Sequence, residues 1–101
     1  MNAYDAFYNA SAEAVYAELS AAEKAYEFDK LVATLDNLWE EAIAIRAQLD
    51  IVSAVGFMRL VRSRAAALRA MQAGGANIDH CLELAALTVT ELDAMLESLA
   101  N

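Results

Sequence analysis

His80 and Cys81 stand side by side, and histidine with cysteine is the material of metal sites and thiol nucleophiles. A zinc site takes about four protein or water ligands, whereas this chain has one histidine and one cysteine in all. Neighbours on a helix also point about 100° apart, so these two side chains cannot reach one ion or pass a proton between them. Cys81 therefore reads as a small core residue and His80 as a boundary residue at the edge of an apolar face. Glu40 and Glu41 invite a carboxylate metal site. The di-iron sites of helical proteins, however, add Glu-x-x-His pairs, and the residue three before His80 is Asn77. No glycine-rich phosphate loop, nucleophile elbow or calcium loop is present. The expectation is a protein that is not an enzyme and holds no metal or cofactor.

The arginines carry more information. On a helical wheel Arg46 falls between Leu35 and Trp39, and Arg64 falls among Phe57, Leu60, Val61 and Leu68, both within apolar faces. A lone buried guanidinium is prohibitive, so each is expected either in an ion pair at the core edge or as an anchor at an interface. Arg59, Arg62 and Arg69 share another face, read as opposite Phe57, with the small Ser63, Ala66 and Ala70 around them. That face is either a solvated stripe or a dock for an acidic partner or a phosphate.

Charge sharpens the contrast. Residues 51–72 contain four arginines and no acid, a net +4, which leaves −12 on the rest of a chain whose total is −8. Such an acidic chain is not a general nucleic-acid binder. The aromatics are also lopsided: Tyr4, Phe7, Tyr8, Tyr16, Tyr26, Phe28 and Trp39 precede residue 40, and only Phe57 follows. Tyr4, Phe7 and Tyr8 form a second candidate contact surface.

Helices must position these residues. Leu31, Leu35, Leu38, Ala42, Ile45, Leu49 and Val52 recur at alternating spacings of four and three, the seam of a helix packed lengthwise on others. Proline is absent and only three glycines occur. Expected helices run over 3–19, 21–48, 51–72 and 78–99. Ser20-x-x-Glu23 reads as a capping box, Asp50 as the N-cap after a break near 49–51, and Gly74-Gly75 as the one unambiguous turn. In the last helix Ile78, Cys81, Leu82, Ala85, Leu92, Met95, Leu96 and Leu99 are expected to face inward.

The fold expected is all-α, an antiparallel bundle of three or four helices in a single domain. With 59% hydrophobic residues in 101, a chain this small cannot hide its apolar surface alone, so oligomerisation, as a homodimer, is expected to complete it. No apolar run approaches the ~20 residues of a membrane span. Met1–Asp5 lacks the basic start of a secretory signal, and a single cysteine fits a reducing compartment, so a cytoplasmic setting is expected. The function expected is stoichiometric binding of another protein, as adaptor, chaperone or inhibitor, through Arg59, Arg62, Arg69, Arg46, Arg64, Tyr4, Phe7 and Tyr8. The alternatives are an acidic nucleic-acid mimic, of the kind phages use against host defences, and a ligand-sensing bundle built around Arg46 and Arg64. Small helical-hairpin secretion substrates share this length, but their Trp-x-Gly turn is missing, since Glu40 and Glu41 follow Trp39.

Overall fold

The computed structural model describes residues 19–101. The helix expected over 3–19, with Tyr4, Phe7 and Tyr8, lies outside them. Three α-helices follow: α1 (Ala21–Ile45), α2 (Ile51–Ala73) and α3 (Ile78–Ala100), with a 3-10 turn (Arg46–Gln48) after α1. Among the described residues there is no strand.

Each boundary has a local chemical cause. Ser20 Oγ accepts from the Glu23 amide at 3.2 Å, and the Glu23 carboxylate accepts from the Ser20 amide at 3.3 Å, closing the capping box that starts α1. At the other end the winding tightens from Arg46 to Gln48, and Leu49 is extended. The expected helix over 21–48 thus ends as an α-helix three residues early. Asn77 caps α3, accepting from the amides of Asp79 and His80 at 2.9 and 3.3 Å. Between α2 and α3 the Ala76 amide donates to Met71 and the Gly75 amide to Gln72, a pattern that puts Gly75 at φ +80, where a side chain is strained.

Asp50 starts α2. One of its carboxylate oxygens accepts the Ser53 hydroxyl at 2.6 Å and the other accepts the Ser53 amide at 2.8 Å. The hydroxyl bond first, then the amide bond, lower its pKa below the usual aspartate value. A carboxyl lowered in the folded state contributes fully above its unfolded value, about 3.9, and loses that contribution as the pH falls through the folded value. Asp50→Ala should therefore lower the melting temperature at neutral pH. The gap from wild type, followed by circular dichroism, should close as the pH drops below about 4. A gap that persists in acid would show that the charged cap is not its source.

Successive helices run in opposite directions, which leaves α1 and α3 parallel. Lys24 Nζ lies 2.7 Å from Asp79 in the first turns of α1 and α3, while Ile45 and Leu96 line one groove near their ends. Trp39 with Arg62, and Asp36 with Arg69, tie α1 to α2 in the antiparallel sense. All three helices pack against one another.

One continuous core results. Its α1 row is Phe28, Val32, Leu35, Leu38 and Ala42; α2 adds Phe57, Val61, Ala65 and Leu68; α3 adds Cys81, Leu82, Ala85, Leu92 and Leu96. The expected seam holds from Leu31 to Ile45, although its two ends are only half-buried. It fails beyond that point: Leu49 lies past the break, and Val52 is exposed. Met95, expected inside, is exposed, whereas the buried Thr88 hydroxyl donates to the Leu84 carbonyl at 2.7 Å. No helix of the described residues is long and apolar enough to cross a membrane.

Candidate functional site

The first two turns of α2 leave large apolar side chains in water. Ile51 and Val52 are each 78% exposed and Val55 is 41% exposed. Asp50 as N-cap explains their presence on a helix: α2 restarts in a new phase, so the face that α1 would have extended into the core now points outward. With Gly56 and Arg59 these three line a groove of 380 Å³. Val55 and Arg59 also belong to the next groove, of 320 Å³, with Trp39, Met58 and Arg62. Trp39 and Arg62 in turn share a third, of 230 Å³, with Asp36 and Arg69. The three grooves form one stripe along α2 from Ile51 to Arg69, about 27 Å at 1.5 Å per residue. It is apolar at its start and basic further on.

Gly56 sits mid-helix in this stripe. A methyl group added at its Cα would meet nothing within 4 Å. An exposed helix-interior glycine costs about 1 kcal/mol relative to alanine. The packing of the described residues gives no reason for the residue.

Arg59, Arg62 and Arg69 are all exposed while Phe57 is buried, and Arg62 and Arg69 border the seam with α1. The Arg62 guanidinium lies 4.3 Å from the Trp39 ring centroid, and an Arg69 nitrogen is 3.4 Å from an Asp36 carboxylate oxygen. Ala65 is core and Arg69 is one position further round from it, which is why this row borders the core on the α1 side. Arg59, Arg62 and Arg69 are thus brought together, with Arg59 at the junction of the apolar and basic parts.

Arg46 and Arg64 are not brought into the core. Arg46 lies in the 3-10 turn, where winding near three residues per turn invalidates a wheel drawn at 3.6, and it is exposed. Arg64 sits on the apolar row, yet its long side chain leaves it exposed. Neither makes an ion pair among the described residues, and neither lines one of the three grooves.

On the far side of α1, Glu41, Ala44 and Ile45 face Asp93, Leu96, Glu97 and Ala100 of α3 across a groove of 280 Å³. Its floor is apolar and small, and its rim is acidic. Sequence reasoning missed this groove because its two walls are about 50 residues apart and only the parallel pairing of α1 with α3 joins them. Cys81 is fully buried, His80 is exposed, and among the described residues no three of His, Cys, Asp and Glu gather as a metal-binding group.

Comparison with protein-family models, with curated proteins and with solved structures finds no match to this chain.

Proposed function

We propose that the protein is a non-enzymatic binding protein that engages other proteins stoichiometrically, as an adaptor, chaperone or inhibitor, through the α2 stripe. One observation carries this reading: Ile51, Val52 and Val55 are exposed in a continuous surface with Arg59 and Arg62. Apolar anchors beside arginine are the composition of binding interfaces, where such residues hold most of the energy. The partner chemistry that fits is an apolar segment flanked by carboxylates, since α2 offers cations and no acid to pair with them. The full architecture in this reading is a helical bundle that oligomerises, in the cytoplasm, where a lone thiol such as Cys81 stays reduced.

The test is a comparison of proteins captured from the native host by wild type and by the Arg59→Glu/Arg62→Glu variant. Loss of the captured partner, with helicity by circular dichroism unchanged, is expected. Arg59 and Arg62 are exposed, and exposed charges and single cation–π contacts contribute only about 1 kcal/mol or less, so the fold should persist. Were the protein an acidic mimic of nucleic acid, its target would be basic, and the same reversal would preserve or strengthen capture. That outcome would overturn the reading.

A further inference from the structure

We infer that the stripe on α2 is occupied by a second copy of this chain, whose acid-rimmed groove between α1 and α3 receives it. The inference rests on the stripe's being a protein-binding face and names its occupant.

The two surfaces are complementary in chemistry. The stripe offers Ile51, Val52 and Val55 with Arg59 and Arg62 beyond them. The groove offers Ile45, Leu96, Ala44 and Ala100 as an apolar floor, with Glu41, Asp93 and Glu97 around it. Apolar surface thus meets apolar surface, and two cations meet three carboxylates. The small residues agree as well: Gly56 on the stripe and Ala44 and Ala100 in the groove let two backbones come close.

Placement also agrees. Stripe and groove flank the same end of the molecule, because Ile45 in the groove and Ile51 on the stripe are joined only by the short turn through Leu49. A two-fold axis beside that shared end lets two copies make the contact twice, stripe in groove and groove over stripe, and the assembly then closes at two. An α2-to-α2 contact at Gly56 is the rival arrangement. It would bring the arginines of two basic helices together, against their charge.

Self-pairing and capture of another protein use the same stripe, so each excludes the other. The Gly56 backbone then has a function that its cost to helix stability does not reveal.

Sedimentation of the full chain tests the inference by charge swap. Wild type should plateau at twice the monomer mass of 10.9 kDa as concentration rises. Arg59→Glu/Arg62→Glu and, separately, Glu41→Lys/Glu97→Lys should each weaken pairing about a hundredfold or more. Mixed in equal amounts, the two variants should restore a dimer, because every reversed rim then faces a reversed partner. Gly56→Ala should raise the melting temperature of dilute monomer and yet weaken pairing, which no loss of folding can imitate.

A mass that grows without limit, a dimer indifferent to both charge series, or a mixture that stays monomeric would each overturn the inference. A wild type that stays monomeric up to about 1 mM, while Arg59→Glu/Arg62→Glu still abolishes capture of a host protein, would overturn the self-pairing alone. The binding function would then stand.

Discussion

Phe28→Ala is expected to lower the stability of this protein by about 3–5 kcal/mol, the range for a large aromatic removed from a core that cannot collapse around the loss. Phe28 is 0% exposed and is the first residue of the row that α1 sends into the core, ahead of Val32, Leu35, Leu38 and Ala42. It shares one cluster with Leu68 of α2 and with Cys81 and Leu82 of α3. A cavity there removes contacts from all three helices together. Small domains hold about 5–15 kcal/mol in total, so the variant should sit close to unfolding, with a melting temperature lower by more than about 12 °C. Guanidinium unfolding followed by circular dichroism measures it. A loss under about 1 kcal/mol would remove Phe28 from the centre of the core.

The second large effect is a contrast within one helix. Leu82→Ala and Leu87→Ala delete the same atoms five residues apart on α3. Leu82 is 1% exposed and Leu87 is 52% exposed. The first should cost about 2–5 kcal/mol. The second should change stability by less than about 0.5 kcal/mol, since alanine is at least as good a helix former as leucine and little packing is lost. Equal losses at both sites would mean that α3 is turned about its axis from the orientation described. Comparing the pair cancels most unfolded-state effects, because the exchanged side chain is the same.

Much of this architecture was legible in the sequence. The capping box at Ser20 and Glu23, the cap at Asp50 and the turn at Gly74-Gly75 are short-range chemistry, and short-range chemistry reads directly from residue order. The core row of α1 was legible only in part. Leu35, Leu38 and Ala42 of the expected seam are buried, whereas Phe28, four before Val32 and seven before Leu35 on the same face, lies ahead of the seam's first residue. Arg46 failed for a different reason: a wheel assumes constant winding, and the chain tightens after Ile45. The arginine row was found as a group, but its contacts with Trp39 and Asp36 were not, because a wheel fixes which residues share a face and not which neighbour that face meets. The groove of Glu41 and Glu97 could not be read at all, being made by the pairing of distant segments.

The parallel pairing of α1 with α3 bears on how the chain comes to be folded. The core face of α1 is completed by a helix that lies beyond α2 in the sequence, so a growing chain that has made only α1 and α2 still shows Phe28, Leu35 and Ala42 to the surroundings. Synthesis proceeds at about 5–20 residues per second, so the 23 residues of α3 take on the order of 1–5 s to follow. During that interval the helical hairpin is a ready client for any chaperone that holds apolar surface. Once α3 docks, all three helices share one core and stand or unfold together, with no two-helix fragment left that hides its own apolar face.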